Sequence, residues 1–230
     1  IITGVGDRGQ VGFAVARHFL AAGWRAVITA RSDAVHERAA ELAASGVVVA
    51  VRADLTEPHD VAVLVDTVRE RYGRLDAVIN VAGGLTVVKP LADTASDEWR
   101  REIERNAGTT YQVCRAVLPL LREHGGAIVN FAAVAGQRAA VNVGAYSASK
   151  AAVIALTRSL ALEERPNGVR VNAIAPAMVD TDQNRRALDD AHDATFVTRQ
   201  EIAEVAFFLA SPASSGITGA TIPVVGNALE

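Results

Sequence analysis

Short, unbroken runs of β-branched and other apolar residues recur along the chain at Ile1–Thr3, Val27–Thr29, Val47–Val51, Ala77–Val81, Ala127–Phe131, Val169–Ile174 and Thr221–Val225. Unbroken rather than alternating runs suit parallel strands buried on both faces. Between them lie longer segments that read as helices: Val11–Ala22, Asp33–Ser45, Pro58–Tyr72, Ser96–Glu123, Ala145–Glu164 and Arg199–Ala210. Repeated strand–helix alternation predicts an α/β fold of seven mostly parallel strands with helices on both faces and right-handed crossovers. The expectation is a single Rossmann-like, doubly wound domain over residues 1–230.

The boundaries carry their own signals. Gly23, Gly46, Gly73 and Gly125 fall just past expected helix ends, where a left-handed residue closes the last turn. Pro58 sits in a first turn, and Thr198 with Glu201 reads as a capping box. In such sheets ligands bind beyond the carboxyl ends of the strands, so the loops after each strand are the ones to search for chemistry.

Composition narrows the classes. Half of the 230 residues are hydrophobic, enough for a sizeable core, and the formal charge of -3 gives no basic field for nucleic acid. The lone cysteine, Cys114, cannot form an intrachain disulfide, which fits a reducing, cytoplasmic setting. No apolar run approaches the roughly 20 residues of a membrane span. The chain opens at Ile1 without a methionine, directly before a Gly-rich turn, so part of a first strand is expected to precede it.

That turn, Thr3-Gly4-Val5-Gly6-Asp7-Arg8-Gly9-Gln10-Val11-Gly12, joins the first strand to the first helix. Bare backbone and a helix N-terminus there suit a pyrophosphate. The second strand ends in Ala30-Arg31-Ser32, with no carboxylate for a ribose 2′-hydroxyl. A guanidinium holds a 2′-phosphate well, so Arg31, with Arg8 as a second contact, favours NADP(H) over NAD(H). Asp33 opens the next helix and is read as its cap. Tyr146 and Lys150 lie four residues apart and share one helical face. An ammonium beside a phenol is expected to lower its pKa from about 10, fitting it for proton exchange with a carbonyl or alcohol oxygen.

Together these residues resemble the short-chain dehydrogenase/reductase family over nearly the whole chain. The resemblance rests on the first loop, Asp54-Leu55, Asn80-Val81-Ala82-Gly83, Asn106, Tyr146 to Lys150, and Pro176 to Thr181. It implies that Gly4, Arg8, Val11 and Arg31 hold the phosphates. It implies that Asp54 bonds the adenine, Leu55 lines its pocket, and Asn80, Ala82 and Gly83 pack against the adenosine-side ribose. By the same resemblance Lys150 binds the nicotinamide ribose, and Asn106 holds a water that links Lys150 to solvent. Pro176, Val179 and Thr181 would cradle the carboxamide, residues 178–198 would form a substrate lid, and a homodimer or homotetramer would assemble through helices four and five and the last strand.

Two departures stand out. The family usually carries a serine thirteen residues before the tyrosine, and Ala133 occupies that position here. Losing such a donor costs roughly a hundredfold or more in rate, and Gln137 or Asn142 are the candidate substitutes. The first loop also lacks the common Gly-x-x-x-Gly-x-Gly spacing and resembles the branch that includes enoyl reductases. Three readings follow: a carbonyl reductase or alcohol dehydrogenase for a small-molecule substrate, an enoyl-type C=C reductase, or a nucleotide-binding protein with little catalysis. Trp24 and Trp99 read as packing residues, His18 and His36 as solvated. His192 and the acids Asp180, Asp182, Asp189, Asp190 and Asp193 belong to the expected lid. No His, Cys and carboxylate cluster has metal-ligand spacing.

Overall fold

The computed structural model describes residues 1–187 and 196–226. Its strands are β1 (Ile2–Thr3), β2 (Ala26–Ala30), β3 (Val48–Arg52), β4 (Ala77–Asn80), β5 (Gly126–Phe131), β6 (Val169–Pro176) and β7 (Thr221–Val224). They form one sheet in the order β3-β2-β1-β4-β5-β6-β7, and every pairing is parallel. The helices are α1 (Val11–Ala21), α2 (Ala34–Leu42), α3 (Pro58–Tyr72), α4 (Ser96–Ile103), α5 (Thr109–Leu121), α6 (Gly144–Glu163), α7 (Asp182–Ala187) and α8 (Arg199–Ala210).

Alternate strand residues feed two cores. Ile2, Ile28, Ile79, Val129 and Ile174 pack under α1, α2 and α8. Val27, Val78, Ile128 and Val171 pack under α3, α5 and the end of α6. Burial on both faces is why these strands read as unbroken apolar runs. The expected capping box is formed: Thr198 Oγ1 accepts from Glu201 N at 3.2 Å, and Thr198 N donates to Glu201 Oε2 at 2.8 Å. Gly73 closes α3 at φ 66°, whereas Gly46 follows a 3-10 turn at φ 153°.

Four readings of the sequence need correction. The expected helix over 96–123 is two helices joined by a π turn at Glu104–Gly108. The helical pattern reads on through this stretch, although Gly108 in the turn and Pro119 in α5 are poor helix formers. Tertiary bonds widen it, because Asn106 turns inward to hold a loop on another element, and π turns cluster at such functional positions. Asp33 makes no capping bond and faces Arg52 at 3.5 Å instead. His18 is half-buried, edge-on to Phe207 at 5.2 Å and 3.2 Å from Gln200 Nε2. Trp24 packs edge-on against Phe19 as expected, but Trp99 is 38% exposed on α4. No helix among the described residues is long and apolar enough to cross a membrane.

Candidate active site

Strand order reverses between β1 and β4, and the loops leaving those two strands frame the crevice where an open parallel sheet binds ligands. The loops press together through backbone. Thr3 Oγ1 accepts from Ala82 N at 2.9 Å, and a Cβ on Gly4 would stand 3.0 Å from Ala82 Cα. Gly4 takes φ 75°, and a Cβ on Gly12 would run into the Gly4 carbonyl oxygen. Gln10 gives α1 no side-chain cap, and its first turn holds no acid. Bare backbone and uncapped N–H groups at this reversal fit the pyrophosphate of a dinucleotide. Val11 begins α1, and Arg8 is exposed beside it. Asp7 Oδ1 accepts from Gly9 N at 2.6 Å.

At the second strand tip, Arg31 is exposed and its charge reaches Asp54. Asp54 Oδ1 accepts from Thr56 Oγ1 at 2.7 Å and Thr56 N at 3.0 Å. The Thr56 hydroxyl bond, ahead of Arg31, holds this carboxyl below its usual range. Leu55 is buried in the core that α3 covers. Asn80 faces inward rather than into the crevice: its Nδ2 donates to Asn130 Oδ1 at 2.9 Å and lies 3.4 Å from Cys114 Sγ. Burial pushes the Cys114 thiol up to about 12.

Tyr146 and Lys150 do share a face of α6, with Lys150 Nζ 5.6 Å from the Tyr146 ring centroid. Lys150 is 4% exposed, and its ammonium donates to Phe131 O at 2.8 Å, at the end of β5. Gly83 comes so close that a Cβ there would lie 3.4 Å from Lys150 Nζ and 2.5 Å from Asn106 Oδ1. Asn106 clamps this loop: Oδ1 accepts from Gly84 N at 2.9 Å, and Nδ2 donates to Gly84 O at 3.1 Å. Ala133, buried where β5 leads into a 3-10 turn, offers only a methyl group. Gln137 and Asn142 are exposed.

The expected acidification of the tyrosine is overturned. Burial, reinforced by the Glu102 carboxylate, pushes the Tyr146 phenol up to about 12. Burial brings the Lys150 ammonium down to about 8 against a smaller opposing pull from Glu102. A desolvated cation 5.6 Å from the ring centroid does not offset removal of the phenol from water. Glu102 was not singled out in the sequence. It is fully buried, one turn before Asn106, and Thr86 donates to it from both its N–H, at 3.2 Å, and its hydroxyl.

Beyond β6, Val179 bridges Val197, so the described ends of 178–198 meet in a neck. Asp180 N donates to Val197 O and Val197 N to Met178 O, both at 2.8 Å. Pro176 ends β6, and buried Thr181 accepts from Asn184 N at 3.2 Å. His192, Asp189, Asp190 and Asp193 lie outside the described residues. A cavity of about 580 Å³ lies at the opposite, N-terminal ends of the strands, lined by Ile1, Trp24, Tyr72 and His124 among others. It is remote from Tyr146, and the rule for parallel sheets places the reaction at the other end.

Residues 4–226 match the family model described as enoyl-(acyl carrier protein) reductase. The chain is 37% identical, over 97% of its length and 90% of the other protein's, to the (5R,7aS)-5-hydroxy-7a-methyl-1-oxo-2,3,5,6,7,7a-hexahydro-1H-indene-carboxyl-CoA reductase of Mycobacterium tuberculosis. It superposes with a TM-score of 0.90 and 27% identity on NAD+-bound xylitol dehydrogenase, covering 97% of this chain and 96% of that one. The same score and identity, over 99% and 96%, relate it to an actinorhodin polyketide ketoreductase variant with NADPH. The chain therefore belongs to the short-chain dehydrogenase/reductase family. It is an NAD(P)-dependent oxidoreductase of that type.

Proposed function

We propose that this protein moves a hydride between NADP(H) and a carbonyl or alcohol substrate, with Tyr146 as the acid/base. The observation that carries the reading is the buried Lys150 ammonium beside the Tyr146 ring, next to the bare Gly83 backbone in the reversal crevice. When bound, the nicotinamide supplies or accepts the hydride. Tyr146 gives its hydroxyl proton to the substrate oxygen in reduction and takes it back in oxidation. Lys150 spends one donor on Phe131 O, and its others would bond the nicotinamide ribose. Asn106 fixes the Gly84 loop and would support a water path to Lys150. Gly4, Arg8, Val11, Asp54, Leu55, Ala82, Gly83, Pro176, Val179 and Thr181 would line the cofactor, and 178–198 would close over the substrate. Asn80 supports this cleft from beneath, through Asn130.

Arg31 supports NADP(H) over NAD(H), since a 2′-phosphate there would meet a cation and no carboxylate on the β2 tip. Solved relatives of equal likeness carry NAD+ or NADPH, so the choice rests on this residue. Arg31→Ala is expected to weaken NADPH roughly 10- to 100-fold in a fluorescence titration while leaving NADH nearly unchanged. Equal losses for both cofactors would remove the 2′-phosphate role.

Ala133 and the enoyl reductase description of the family model favour a second reading, reduction of an activated C=C bond. Ala133→Ser separates the two. With a carbonyl as the reacting group, the restored hydroxyl is expected to raise ketone reduction by tenfold or more. No gain, together with turnover of an enoyl thioester, would favour the second. A cytoplasmic homodimer or homotetramer is part of the proposal. Exposed Tyr111 on α5 and Leu162 on α6 support assembly through the fourth and fifth helical segments.

A further inference from the structure

Two loops of the crevice meet beside Tyr146. Lys89 N, in the loop after β4, donates to Asn142 O, just before α6, at 2.7 Å. Asn142 takes φ 64°, and no other non-glycine among the described residues has a positive φ. Such a conformation persists only where its surroundings hold it, and it gathers at functional sites. Leu91 Cδ1 lies 3.7 Å from where a Cβ on Gly144 would stand, and Gly144 opens α6 two residues before Tyr146. The loop that carries Lys89 and Leu91 starts at Gly83 and Gly84, which Asn106 clamps beside Lys150. The joined loops therefore form a rim continuous with the Tyr146–Lys150 pair.

The exposed side chains of this rim are mostly hydrocarbon. Between Leu85 and Leu91 the polar side chains are Thr86 and Lys89, and both turn back onto α4. Thr86 Oγ1 donates to Glu102, and Lys89 Nζ donates to both oxygens of Glu98 at 2.7 and 2.9 Å. That leaves Leu85, Val88 and Leu91 exposed, the last two at 64% and 65%. On the facing loop Ala139, Ala140 and Val141 are exposed in succession, Val141 at 86%. Large apolar side chains grouped at the mouth of a site mark a surface that a ligand covers.

We propose that the rim of Leu85, Val88, Leu91 and Val141 selects substrates by a hydrocarbon body: a ketone or secondary alcohol whose reacting carbon carries a bulky alkyl chain or ring, rather than a polyol or a keto acid. The inference deepens the carbonyl/alcohol reading of this site and rests on it. With the reacting oxygen at the phenol, a substituent that leaves the crevice past the start of α6 meets these side chains, and water leaves both surfaces. A polyol would give up hydration against Val88, Leu91 and Val141, which return no hydrogen bond.

A series of methyl ketones of increasing alkyl length, reduced by the cofactor-saturated enzyme, tests this. kcat/KM should rise roughly three- to fourfold per added methylene until the chain outruns the rim. A polyhydroxylated ketone of equal length should fall well below its alkyl counterpart. Combining Val88→Ser, Leu91→Ser and Val141→Ser, all at exposed positions, should flatten the slope and leave the shortest ketone near its wild-type value. Parallel slopes in the two proteins would overturn the proposal, as would a preference for the polyol or for a ketone ending in a carboxylate. Weaker self-association of the triple variant with an unchanged slope would assign the rim to contact between copies of the chain, and would overturn it too. Absence of turnover with every ketone and alcohol, while NADPH still binds in a fluorescence titration, would instead sink the underlying reading.

Discussion

Tyr146→Phe is expected to lower kcat by about 10² to 10⁴-fold, the range a positioned acid/base contributes, with little effect on cofactor affinity. The Tyr146 ring lies 5.6 Å from Lys150 Nζ, and Ala133 supplies no hydroxyl that could take over the phenol's proton. Steady-state kinetics with a ketone, alongside a cofactor titration, separate the two quantities. Retention of kcat within threefold would remove Tyr146 from the chemistry. The stability of the variant should stay close to that of wild type, because no hydrogen bond among the described residues ends on the phenol.

The second large effect is thermodynamic. Burial lowers the Lys150 ammonium from 10.5 to about 8. A cation depressed on folding contributes relative stability above its unfolded pKa and loses it as pH falls through the folded value. Lys150 should therefore add about 2 kcal/mol to the unfolding free energy of the cofactor-free protein between pH 8 and 10, opposed in the same interval by Cys114, whose unfolded thiol ionises from about 9 while the folded one keeps its proton. Tyr146 works in the other direction above 10, because its folded pKa is about 12 and the unfolded phenol ionises first. Lys150→Met should lose that contribution, so that stability falls between pH 8 and 10 in a urea-melt series as Cys114 and Tyr146 act unopposed, at the expense of activity. An unchanged slope in that variant would mean that the ammonium is far better hydrated than its burial implies.

Much of this was legible in the chain. The strands could be read because burial on both faces leaves an unbroken apolar signature, as at Ala127–Phe131. The reversal crevice could be read because Gly4 and Gly12 permit contacts that no side chain would fit. Tyr146 and Lys150 announced themselves by spacing. Glu102 did not. It stands in Asp97-Glu98-Trp99-Arg100-Arg101-Glu102-Ile103-Glu104-Arg105, a stretch whose charges read as a solvated face. Only the docking of α4 on α6, and the closure of Thr86 over it, put that carboxylate inside. The sign of the tyrosine shift was missed for a related reason. Spacing brings an ammonium near, but how much water both groups lose is a property of the packed whole. Asn80 shows the same limit: a motif places it at the tip of β4, and only the packing turns its amide toward Asn130.

The widened turn at Glu104–Gly108 separates two jobs that one continuous helix could not perform together. An extra residue in one turn works as a phase slip, so the stripe α4 shows to α6 is no longer tied to the stripe α5 shows to α3 and the sheet. Val113, Cys114 and Val117 can stay locked in the core while the upstream segment sets Glu102 under Thr86 and Asn106 against the Gly84 loop. Changes on one side of the slip need not be compensated on the other. Such a joint would let the chemistry of α4 diverge among relatives without disturbing the scaffold.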